Sequence, residues 1–91
     1  MLTISLCMIV KNEEMHIARS LESVAELVDE IIVVDTGSVD RTVEIAAGYT
    51  RKVYSYPWKD DFSDARNFSF SKATMDYCMW MDADDILEEV E

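Results

Sequence analysis

Three runs in this chain are apolar at nearly every position, and that pattern narrows the folds open to it. Thr3 to Val10 is β-rich and almost wholly apolar, Glu30 to Val34 carries Ile-Ile-Val-Val, and Tyr77 to Met81 is apolar on both parities. A strand with one wet face alternates. A strand that does not alternate is buried on both faces, as in a parallel sheet covered by helices. Between the first two runs, Ile17, Leu21, Val24 and Val28 recur at helical spacing, with Arg19, Glu22 and Glu26 on the other side. Ser38 or Asp40 can cap a second helix that runs to about Ala47, where Gly48 stops it. Arg51 to Tyr56 alternates and reads as a third strand nearer an edge, with Pro57 to Asp61 as a loop. Ser63 offers a cap for a helix from Asp64 to about Ala73. The order β-α-β-α-β-α-β predicts an α/β fold. Its mostly parallel sheet has about four strands in order 3-2-1-4, right-handed crossovers and helices on both faces.

Composition narrows the partners. The chain has 91 residues and a formal net charge of −11, which disfavours nucleic acid and anionic membranes, since both are bound through Lys and Arg. Glu88, Glu89 and Glu91 read as a solvated acidic run. Cys7 and Cys78 lie in apolar strand-like runs without metal-ligand spacing, so they read as buried free thiols in a reducing cytoplasm. Met1 to Val10 is apolar but has no basic leader or small-residue cleavage site, so it reads as a first strand and not a signal peptide. No segment reaches the roughly 18 apolar residues of a membrane span.

In an open α/β sheet, ligands bind outside the C-terminal ends of the strands. Here that edge collects Lys11 to Glu13 after the first strand, Asp35 to Ser38 after the second, and Asp82, Asp84 and Asp85 after the fourth. The third loop can add Arg66. Three carboxylates so close repel one another unless water or a cation screens them, and hard Mg²⁺ or Mn²⁺ ions favour carboxylate oxygens. Such a site suits a phosphorylated ligand, whose diphosphate the cation can bridge and stabilise as it leaves. Asp35 reads either as an acceptor for base or ribose donors or as an Asx-turn residue supporting Gly37 and Ser38. Arg66 reads either as a phosphate or base contact or as a surface ion-pair partner of Asp60, Asp61 or Asp64. Lys11 reads as a solvated loop base or a ligand contact.

Several rival chemistries fail on spacing. An EF-hand begun at Asp82 would need glycine where Leu87 stands. No Gly-x-Gly-x-x-Gly follows the first strand and no phosphate loop of the Walker type occurs. A phosphotransferase of the haloacid dehalogenase type places its Asp-x-Asp after the first strand, whereas here it follows the fourth. His16 is the only histidine, and it reads as an exposed structural residue.

Four segments together resemble the family 2 glycosyltransferases. They are Ser5-Leu6-Cys7-Met8-Ile9-Val10-Lys11-Asn12-Glu13-Glu14, Val33-Val34-Asp35-Thr36-Gly37-Ser38-Val39-Asp40-Arg41-Thr42, Asp60-Asp61-Phe62-Ser63-Asp64-Ala65-Arg66-Asn67 and Trp80-Met81-Asp82-Ala83-Asp84-Asp85. The likeness covers essentially the whole chain and is strongest to bacterial members of the type often fused to tetratricopeptide repeats. It implies a GT-A fold, a nucleotide-diphosphate-sugar donor, Mg²⁺ or Mn²⁺, and inversion at the anomeric carbon. It also implies donor contacts from Val10, Lys11, Glu13, Asp35, Arg66 and Asp82, with Asp84 as the main metal ligand and Asp82 near ribose and metal. The chain departs from the family pattern in having Thr36 where many relatives carry a second acid, and Met75 where they often carry glycine. The family's acceptor half and catalytic base lie further along than residue 91. The expectation is therefore a donor-binding half, residues 1–91, with no catalytic base of its own. A nucleotide- or metal-binding module without turnover is the alternative. An open fourth-strand edge would favour a homo-oligomer.

Overall fold

The computed structural model describes residues 2–58 and 61–81. Its elements alternate as expected: β1 (Ile4–Val10), α1 (Ile17–Val24), β2 (Glu30–Asp35), α2 (Thr42–Ala47), β3 (Val53–Ser55), α3 (Phe62–Ser71) and β4 (Tyr77–Trp80). The sheet order is β3-β2-β1-β4 and every pairing is parallel. Two of the three strands without alternation, β1 and β2, lie inside the sheet, where both faces need cover, and the third, β4, lies at its edge among the described residues.

Two cores lie on either side. On one face, Leu6, Met8 and Val10 of β1 and Ile31 and Val33 of β2 pack against Ile17, Leu21 and Val24 of α1 and Ala46 of α2. On the other, Cys7, Ile32 and Val34 meet Tyr54, Tyr56 and Trp80 together with Phe68 and Phe70 of α3. Successive strand residues thus feed opposite cores, as the two-residue period of a strand requires. Burying a Leu, Ile or Val side chain contributes about 1.5–3 kcal/mol.

The elements depart from the sequence pattern at their ends. The α1 periodicity runs on to Val28, yet the helix stops at Val24. Asp29 sets this limit: its N–H donates to the Ile4 carbonyl at 2.9 Å and its carboxylate accepts from the Ile4 N–H at 2.8 Å. Val28 still packs against the core from outside the helix. β3 is shorter than Arg51 to Tyr56 and pairs with β2 alone among the described residues. Neither Ser63 nor Ser38 caps a helix. Asp61 accepts from the Asp64 N–H at 3.1 Å at the start of α3. The cap position of α2 is Arg41, whose side chain makes no capping bond, and Asp40 one residue earlier accepts from the Thr42 N–H at 2.9 Å.

The largest correction concerns β4. Tyr77 is 56% exposed and Cys78 is exposed, whereas Met79 and Trp80 pack against the cores. This strand is covered only in its C-terminal half, where Trp80 meets Phe70 of α3 edge-on at 6.3 Å. Cys7 is buried, which pushes its thiol up to about 11 and keeps it in the protonated form. Among the described residues no helix is long and apolar enough to cross a membrane.

Candidate functional site

Parallel pairing carries the ends of β1, β2 and β3 to one edge, with Val10 in register with Asp35 and Asp35 in register with Ser55. β4 runs parallel to β1 with Cys7 opposite Trp80, so its C-terminal end faces the same way. The edge predicted from the sequence is therefore a physical one.

Its centre is Asp35, 6% exposed at the tip of β2. The Asp35 carboxylate accepts from the Gly37 N–H at 3.2 Å and from the Ser38 N–H at 3.1 and 3.3 Å. The Asx-turn reading is therefore part of the structure. It does not exhaust the residue, because a carboxylate offers about four acceptor positions and two N–H groups leave room for a further donor. Gly37 has φ +123°, a backbone conformation that favours glycine, so the turn depends on the residue type the sequence supplies.

The loop after β1 is stapled to this turn. Asn12 has φ 52°, in the left-handed region that asparagine tolerates. Its N–H donates to Ser38 Oγ at 2.8 Å and its Oδ1 accepts from the Val39 N–H at 2.8 Å. Thr36 adds a third tie, donating to the Val10 carbonyl from its N–H at 3.0 Å and its hydroxyl at 3.2 Å. Thr36 is thus a buried residue whose hydroxyl joins two strand ends. The Glu13 N–H donates to Thr42 Oγ1 at 2.8 Å, and the Glu13 carbonyl opens α1 by accepting from the His16 and Ile17 N–H groups. The Thr42 hydroxyl and N–H both donate to Asp40, whose carboxyl is held below its ordinary value chiefly by that hydroxyl. Lys11 lies exposed at the mouth of this loop.

The third loop brings Arg66. It is exposed on α3, with its guanidinium carbon 4.9 Å from the Trp80 ring centroid, a cation–π distance. Tyr56 links this side to Asp35: its N–H donates to the Asp35 carbonyl at 2.8 Å and its hydroxyl donates to Asp64 Oδ2 at 2.7 Å. The hydrogen bond to Asp64 is the main reason the Tyr56 phenol is raised above its ordinary value. From the sequence, Asn12 is expected at this edge only as part of the Lys11 to Glu13 segment, and Tyr56 is given no part in it. An Asn two residues past a buried strand is a signal for a left-handed turn, whereas nothing local marks Tyr56.

The structure places Val10, Lys11, Glu13 and Asp35 at the joined ends of β1 and β2, and Arg66 on α3, a helix that Tyr56 ties to the end of β2. Asp82 and Asp84 lie outside the described residues, and among the described residues no group of three or more His, Cys, Asp or Glu can hold a metal ion. Met75 needs no glycine-like backbone, since Asn12 alone among the described non-glycine residues has positive φ.

Residues 5–89 match the family described as Glycosyl transferase family 2. The chain belongs to that family. A TPR repeat-containing protein of Synechococcus elongatus is 48% identical over 87 residues, 96% of this chain and 22% of that protein. A glycosyltransferase of Rickettsia typhi is 41% identical over 86 residues, 94% of this chain and 29% of its own length. Among solved structures, glucosyl-3-phosphoglycerate synthase from Mycobacterium tuberculosis in complex with Mn²⁺ and UDP-glucose superposes with a TM-score of 0.79 at 30% identity, over 93% of this chain and 34% of that one. The fold of this family 2 chain is thus that of the GT-A glycosyltransferases. It spans between about a fifth and a third of the length of these relatives.

Proposed function

We propose that residues 1–91 form the donor-binding part of an inverting, metal-dependent glycosyltransferase that uses a nucleotide-diphosphate sugar. The observation that carries this reading is the join between β1 and β2. It sets Asp35 at the C-terminal edge of the sheet, with its carboxylate oriented by two N–H groups and still able to accept. The solved relative holding Mn²⁺ and UDP-glucose supports the same ligand class here.

In this reading Asp35 accepts from nucleoside N–H or O–H donors, while Val10, Lys11 and Glu13 line the base pocket. Arg66 takes phosphate or a base edge through its planar donor fork. Asp84, with Asp82, holds a Mg²⁺ or Mn²⁺ ion, which their hard oxygen donors suit. When bound, the cation neutralises the diphosphate and stabilises it as a leaving group. The acceptor hydroxyl needs a base, and no residue of this chain is assigned that part. The two free cysteines fit a reducing cytoplasm.

Calorimetric titration with UDP in the presence of Mn²⁺ tests the assignment. Asp84→Ala is expected to remove the Mn²⁺-dependent part of the affinity, and an unchanged affinity would take the metal away from Asp84. The exposed start of β4 also supports self-association through that edge. Light scattering at high protein concentration is expected to show a dimer, and a strictly monomeric mass would rule it out.

A further inference from the structure

Asp35 and Arg66 stand on different elements, β2 and α3, and are 31 positions apart in sequence. A ligand that touches both is gripped only as well as those elements are held at a fixed separation. Contacts that bear on this separation from both sides meet in one residue, Tyr56. The Tyr56 N–H is bonded to the Asp35 carbonyl at 2.8 Å, continuing the sheet one residue beyond β3. The Tyr56 hydroxyl is bonded to Asp64 Oδ2 at 2.7 Å, in the first turn of α3 and two residues before Arg66. Its ring stacks on Phe68 of the same helix, with centroids 4.3 Å apart and planes 22° off parallel. The chain of contact continues from Arg66 to the face of Trp80, at the end of β4.

We infer that Tyr56 is a positioning residue, which braces the first turn of α3 against the end of β2 and so fixes Arg66 relative to Asp35 for donor binding. The inference rests on the donor-site reading above. It goes beyond that reading by assigning a role to a side chain that need not touch the ligand. The two halves of the side chain divide the work. The ring holds the middle of α3 through Phe68, and the hydroxyl fixes the rotation of the first turn through Asp64. Tyr56→Phe keeps the stack and removes the hydroxyl's bond to Asp64, so the fold is expected to survive it.

The experiment is a double-mutant cycle on the full chain, with UDP and Mn²⁺ as the probe. Tyr56→Phe is expected to weaken binding about fivefold, the scale of one lost hydrogen bond. In an Arg66→Ala background it is expected to cause no further loss, because the residue it positions is gone. An unchanged affinity in the single variant overturns the inference. So does an equal loss in both backgrounds, which would mark a general structural effect. A second readout needs no nucleotide: at 4.9 Å the Trp80 ring is expected to shift the Arg66 side-chain NMR signals, and Tyr56→Phe is expected to reduce that shift. If the unmodified chain fails to bind UDP or another nucleoside diphosphate, the donor-site reading fails. The brace is then judged by the Arg66 signals alone, and their persistence unchanged in Tyr56→Phe overturns it.

Discussion

Glu30 shows what a single acid can do at the opposite end of the sheet from the candidate site. It is 6% exposed at the start of β2. Its carboxylate accepts from Ser5 Oγ at 2.7 Å, from the Thr74 N–H at 2.9 Å, from Thr74 Oγ1 at 2.7 Å and from Lys52 Nζ. Burial alone would raise its pKa, but these donors outweigh it, the Lys52 contact foremost, and hold the group at about 2. A depressed carboxylate stabilises the fold above its ordinary pKa, and that contribution is lost as pH falls from about 4.5 toward 2. Between pH 7 and pH 3 the loss is about 2 kcal/mol, a sizeable share of a small domain's stability. Urea unfolding at the two pH values is expected to show the native chain losing about that much more than Glu30→Gln. Equal losses would remove Glu30 as the source. The sequence offered Glu30 only as the first residue of a buried strand. The bond from Thr74 spans 44 positions, and no local pattern reports it.

Elements were legible where burial on both faces left one solution. β1 and β2 are continuous in apolar residues because each has a strand on both sides and helices above and below, and their inner position follows from that. The start of β4 has the same composition but is left uncovered on both faces, so Tyr77 and Cys78 are exposed. Composition records what a strand can bury, and the cover it receives depends on neighbours distant in sequence. Helix starts were ambiguous for a related reason. Asp61 and Ser63 are both good caps by type, and the path of the loop decides between them. Asp61 has extended φ −136° and ψ 101°, and so is placed to accept from the Asp64 N–H. Asp61→Ala is expected to cost about 1 kcal/mol. Ser63→Ala, at an exposed position within the helix, is expected to change stability by less than about 0.5 kcal/mol. Chemical denaturation of both variants checks this, and the reverse ranking would return the cap to Ser63. The site shares this division. Asp35 stood out as the acid that ends an apolar run and Arg66 as a base at the start of the third helix, whereas Asn12 and Tyr56 act through ties to other segments that only the folded chain reveals.

At the scale of the whole molecule, the candidate site and the stability of the sheet are one problem. The strand ends that would hold the donor come from segments far apart in sequence, and the chain carries a net charge of −11 that favours expansion. A ligand that contacts these ends, together with a cation that offsets acidic repulsion, binds the folded state and not the unfolded one. It therefore adds RT ln(1 + [L]/Kd), about 2.7 kcal/mol at a hundredfold excess over Kd. A domain of this size shifts its Tm by about 4–8 °C per kcal/mol, so UDP with Mn²⁺ is expected to raise Tm by about 10–20 °C. UDP with EDTA is expected to give only a small part of that shift, because the diphosphate then meets the carboxylates without a bridging charge. Mn²⁺ without nucleotide is expected to give a small shift as well, since the nucleotide contacts proposed for Asp35 and Arg66 are then unmade. Differential scanning calorimetry separates these arms. A full shift in EDTA would mean that nucleotide binding does not depend on the cation. A full shift with Mn²⁺ alone would mean that the metal acts on the fold without forming a donor site.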